Sequence, residues 1–188
     1  EASLPALARA EPPLLPPTLA LLQSRRASTE ARTQAARALA LMLDDDTLRR
    51  DAVGLDATAA LCDQLLEQPC PDAQLEWVCG ALTRLCADDE RAAREVARAG
   101  AAFVLAPSLG SPSAAVKEEA SALLAIIAAV DSDARTQTAE GGGLPHVVAL
   151  LRSRTPQTRD AGLGLARELA RTPRCASALV DAGAAAPL

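Results

Sequence analysis

The chain has 188 residues, 49% of them hydrophobic, which is enough to bury a core and argues against a disordered chain despite 13 prolines. A formal net charge of -5, with Lys117 the only lysine beside the arginines, leaves no basic block that could track phosphates and argues against nucleic acid as a partner. One Trp (Trp77), one Phe (Phe103) and no Tyr mean a core of Ala, Leu, Val and Ile, residues that suit helices stacked at close range.

In chain order, Ala8-Arg9-Ala10 reads as the end of a short helix, because the same triplet pattern returns at Ala97-Arg98-Ala99. Ala38-Leu39-Ala40-Leu41-Met42 opens a series that continues as Ala81-Leu82-Thr83-Arg84-Leu85, Leu123-Leu124-Ala125-Ile126-Ile127 and Leu165-Ala166-Arg167-Glu168-Leu169, in steps of 43, 42 and 42 residues. Asp45-Asp46 returns as Asp88-Asp89, Val53 as Val96, and Leu109 and Ser111 as Leu151 and Ser153. A period near this length marks a repeat array.

The punctuation within one period is plainest after Asp89. A short helix is expected over 90–99, ended by Gly100 in a left-handed conformation. A second is expected over 101–109, ended by Gly110-Ser111-Pro112, and a longer third from Ser113, with Val116, Ala120, Leu123, Leu124 and Ile127 on one face. Thr155-Pro156 and Thr172-Pro173 read as N-caps followed by proline at the first helical position. The units expected are 1–44 (partial), 45–87, 88–130, 131–171 and 172–188 (partial), one array cut from a longer chain. The run from Gly183 to Leu188 would start a second helix.

Few residues could carry chemistry. His146 is the only histidine, so neither a serine triad nor a histidine-rich zinc site can be assembled; no catalytic residue, cofactor or metal ligand is assigned. The odd set of Cys62, Cys70, Cys79, Cys86 and Cys175 has no regular spacing and reads as small apolar side chains in a reducing, intracellular and cytoplasmic setting. Asp44-Asp45-Asp46 and Asp88-Asp89-Glu90 lack the alternating ligands of a calcium loop and stand where helix caps are needed. Gly141-Gly142-Gly143 is followed by no Gly-Lys-Ser/Thr and reads as a repeat turn. No apolar run approaches the roughly eighteen residues of a spanning helix, and no signal peptide is visible.

Gly142-Gly143-Leu144-Pro145-His146-Val147-Val148-Ala149-Leu150-Leu151 and Gly80-Ala81-Leu82-Thr83-Arg84-Leu85 resemble the second and third helices of the armadillo repeat. The resemblance implies an all-α, right-handed superhelical solenoid of three-helix repeats, with a two-helix HEAT array as the alternative. It also implies a concave groove lined by third helices, holding a protein partner. In peptide-gripping members of that family, an Asn on the third helix bonds the peptide backbone and a Trp flanks Lys side chains. Here the Asn-like positions are Leu41, Arg84, Ile126 and Glu168, the Trp-like ones are Arg37, Gly80, Ala122 and Gly164, and the chain has no asparagine. An amide ladder for extended peptides, and with it nuclear import, is therefore not expected.

The candidate groove set is Arg37, Leu41, Arg84, Ile126, Arg167 and Glu168, suited to a partner that is acidic and apolar, such as an amphipathic helix. The function expected is a non-catalytic scaffold or adaptor, including cytoskeletal or ciliary assemblies. A nucleotide-exchange cofactor of a heat-shock chaperone and a regulatory module of a larger enzyme are the alternatives. No membrane insertion is expected.

Overall fold

A computed structural model describes residues 13–67 and 69–184, so Ala8-Arg9-Ala10 and the last residues, 185–188, lie outside the described residues. Among the described residues the chain forms twelve α-helices, one 3-10 helix and no strand. In order these are α1 (Leu15–Gln23), α2 (Thr29–Met42), α3 (Asp46–Gly54), α4 (Ala57–Leu66), α5 (Asp72–Cys86) and α6 (Glu90–Arg98). They continue as α7 (Ala101–Leu105), the 3-10 turn Pro107–Gly110, α8 (Ala114–Val130), α9 (Ser132–Glu140), α10 (Gly143–Leu151), α11 (Pro156–Leu169) and α12 (Pro173–Asp181). The all-helical fold class expected from the sequence is the one the chain adopts.

Short polar side chains start the helices by satisfying amide groups that have no partner inside the first turn. Ser28 accepts from the Ala31 N–H at 3.1 Å at the head of α2. The carboxylate runs do the same: Asp45 accepts from Thr47 and Leu48, Asp89 from Arg91 and Ala92, and Asp131 from Asp133 and Ala134, at 2.7–3.1 Å. Thr155 and Thr172 do precede prolines at the first helical position, yet neither hydroxyl caps its helix. Thr172 Oγ1 instead accepts from Arg135 Nε at 2.7 Å, tying α9 to the turn before α12.

The corners between first and second helices share one backbone device. Gly100 and Gly142 have φ of 83° and 81°, and Asp56 takes the same role at 56°; Gly183, after α12, has 91°. Aspartate is among the few side chains that tolerate this region, which is why a corner without glycine still turns. The second helix expected over 101–109 is broken: α7 stops at Leu105 and a 3-10 turn follows. Pro107 has no N–H to return to the carbonyl four residues back, so the α-helical ladder cannot continue through it.

The chain divides into two compact units, residues 1–95 and 96–188. In the first, the long helices α2 and α5 pack on each other, with α1 and α4 behind them. Leu22, Leu39, Met42, Leu43, Leu61, Leu65 and Leu82 are fully buried there. Ala36, Ala40, Cys79 and Ala81 are wholly inaccessible between them and let the backbones approach. In the second unit α8 and α11 pack together, backed by α9 and α10, over Leu105, Leu109, Leu123, Leu124 and Ile127. Each fully buried aliphatic side chain contributes roughly 1.5–3 kcal/mol of transfer free energy. Val116, Ala120, Leu123, Leu124 and Ile127 all face inward, as the spacing predicts.

Candidate partner-binding faces

In the first unit the outer face of α2 and α5 carries three of the residues singled out by sequence: Arg37, Leu41 and Arg84. Arg37 is exposed, and its guanidinium carbon lies 5.3 Å from the centroid of the Trp77 ring on α5. The ring quadrupole attracts the cation and holds the guanidinium while its N–H edges remain available. Among the described residues Arg37 has no carboxylate partner. Leu41, one turn further along α2, is half-buried.

Arg84 is engaged within the fold. Its Nε donates to Asp44 Oδ1 at 2.7 Å and its Nη1 to the Gly80 carbonyl at 2.8 Å, which holds the guanidinium from two sides. Beside it, a pocket of about 420 Å³ is lined by Arg49, Arg50, Asp88 and Asp89 over the apolar Val53 and Leu85. Arg49 pairs with Asp46 at the rim. The sequence reading missed this pocket except for Arg84; the only available signal was the return of Asp45-Asp46 as Asp88-Asp89, which brings two capped helix starts into correspondence.

The second unit carries the other three residues. Ile126 is half-buried on α8. Arg167 Nε on α11 and Arg171 Nη1 in the turn after it each donate to Glu168 at 3.0 Å, one to each carboxylate oxygen. The hydrogen bond from Arg171, joined by that from Arg167 and the charges of both, holds the Glu168 carboxyl below its ordinary range against the opposing effect of burial. Glu168 is therefore an internal counter-ion on this face, and Arg167, although 79% exposed, has a partner already.

Burial pushes Cys62 and Cys86 up to about 12 and Cys70 to about 11, so thiolate is scarce near neutral pH. Among the described residues no helix is long and apolar enough to cross a membrane, and no group of three or more His, Cys, Asp or Glu is placed to hold a metal ion.

No protein-family model matches the sequence, and no curated protein matches it. Solved structures match the fold. A designed armadillo repeat protein superposes with a TM-score of 0.74 at 21% identity, over 92% of this chain and 72% of its own. A second designed armadillo repeat protein, solved in complex with the peptide (KR)4, superposes with a TM-score of 0.72 at 20% identity over the same shares, 92% and 72%. An engineered protein matches at 0.73 and 24% identity, over 90% of this chain and 68% of its own. The chain has the fold of armadillo repeat arrays.

Proposed function

We propose that a chain with this armadillo-type fold works as a non-catalytic protein-binding scaffold, an adaptor in a larger assembly, and that its third-helix faces receive the partner. The carrying observation is Arg37 laid over Trp77 with no carboxylate partner among the described residues. A guanidinium fixed on an aromatic face has little freedom left to lose, so a partner carboxylate gains a forked contact at low entropic cost. Leu41 beside it favours an apolar side chain on the same partner, and the two together fit an acidic amphipathic segment.

The designed relative solved with (KR)4 holds a strongly basic peptide. The exposed Arg37 here favours the opposite charge. The remaining groove residues rank behind it: Arg84 would have to exchange Asp44, and Arg167 would have to exchange Glu168, before either could meet a partner.

Trp77 is the only tryptophan and there is no tyrosine, so its emission reports this face alone. Titrating the protein with an acidic amphipathic peptide should change that emission saturably, and a (KR)4 peptide should not. Arg37→Glu should weaken the acidic peptide by about tenfold or more with an unchanged melting temperature. Equal affinity in wild type and Arg37→Glu removes this face from the function.

A further inference from the structure

In the second unit, a cavity of about 250 Å³ opens between the 3-10 turn, the start of α8 and the helix α10. Its walls carry the only lysine and the only histidine of the chain, Lys117 and His146. The imidazole lies flat against Gly110, where any Cβ would come within 2.6 Å of Cε1 and 2.9 Å of Nδ1. A side chain at 110 would have to displace this ring, and the backbone there lacks the positive φ of the corner glycines.

Neither the Lys117 side chain nor the His146 imidazole has a hydrogen-bond or ion-pair partner among the described residues. Ser153, on the same wall, accepts from the Thr155 N–H at 3.2 Å and keeps its own proton to donate. Glu118, the neighbour of Lys117 in sequence, is already bound by Thr158 Oγ1 at 2.6 Å. Lys117 is also the fourth residue of α8, close to the positive end of the helix, where a cation is disfavoured and an anion favoured. Leu109 and Leu150 line the apolar part of the cavity and lower the local dielectric, which strengthens any ionic contact made there.

We propose that this cavity is a binding site for a phosphate group, either free phosphate or the phosphoryl group of a phosphorylated hydroxyl side chain. Three separate donors, from Lys117, His146 and Ser153, suit a tetrahedral anion with three or more acceptor oxygens better than a planar carboxylate with two. The site is independent of the Arg37–Trp77 face.

With one histidine in the chain, the His146 Cε1 proton gives one resonance to follow. At fixed pH and ionic strength, inorganic phosphate should move it saturably, and acetate or chloride should not. Lys117→Gln should weaken phosphate by about tenfold or more, the loss expected for one charge-assisted contact, while leaving the helical circular-dichroism spectrum intact. Gly110→Ala, which displaces the ring, should weaken it as well. A phosphoserine peptide binding more tightly than inorganic phosphate identifies a phosphorylated side chain as the source; equal affinity identifies the free anion. The proposal is overturned by a resonance that neither phosphate compound moves saturably, by acetate binding as tightly as phosphate, or by undiminished affinity in Lys117→Gln.

Discussion

The α2–α5 face of the first unit and the α8–α11 face of the second are built on the same long-helix pairing and dispose of charge in opposite ways. On the first, the exposed cation Arg37 rests on an aromatic ring and meets no carboxylate among the described residues. On the second, the carboxylate Glu168 is buried and draws both Arg167 and Arg171 onto itself. Similar backbones therefore present one face with an exposed cation that has no carboxylate partner among the described residues and another on which two guanidiniums share one carboxylate. The repeat dictates where a side chain stands; its neighbours decide whether it is free, Trp77 on the facing helix for Arg37 and Glu168 beside it in sequence for Arg167.

The comparison requires that the two units share the same kind of core, and the largest expected effects test that. Leu82→Ala in the first and Leu124→Ala in the second each remove a fully buried side chain and should cost about 2–5 kcal/mol in denaturant unfolding. A loss near zero at either position would break the premise of equivalent interiors. Gly162→Ala comes next: its Cβ would lie 2.6 Å from that of Leu150, and the overpacking should cost about 1–3 kcal/mol, specific to α11 on α10.

The buried counter-ion gives a smaller, pH-dependent effect. The folded Glu168 carboxyl sits below its ordinary value of 4.5, so its contribution is fully present above that pH and is lost as pH falls through the lower folded value. Wild type should lose stability over that acid window, measured by melting temperature from neutral to acid pH. Glu168→Gln should be less stable near neutrality and show a shallower decline on the acid side. Smallest of all is Arg37→Gln. The exposed cation–π contact should account for no more than about 1 kcal/mol of stability, although the Trp77 emission should shift because the guanidinium has left the ring.

Much of the architecture was legible in the sequence, because burial periodicity and turn chemistry are local. The inward stripe from Val116 to Ile127, the aspartate caps and the left-handed Gly100 each follow from a few neighbouring residues. The site was less legible, because its contacts cross between helices. Arg84 finds Asp44 at a separation of 40 residues, a pairing that no spacing rule within one helix signals. Trp77 is one turn before the Trp-like position Gly80, so aligning the repeats alone does not bring it to Arg37. Stepping one period from the buried Ser121 leads to Leu163, which is 48% exposed, whereas the neighbouring Gly162 is buried against Leu150. The rest of the inward stripe keeps its register, since the buried Val116, Ala120, Leu123, Leu124 and Ile127 return 42 residues on as the buried Thr158, Gly162, Leu165, Ala166 and Leu169.

The corners at Gly100 and Gly142 combine a positive φ with open space, since nothing lies within 4 Å of where a side chain would begin. What forbids an ordinary alanine there is chirality alone, not crowding. A mirror-image D-alanine, introduced by chemical ligation, would sit at its own torsional minimum and restrict the unfolded chain, adding about 0.4–1 kcal/mol per corner where L-alanine subtracts. These two glycine bends are in that sense achiral joints in a chiral chain, open to reinforcement by a building block that ribosomes do not supply.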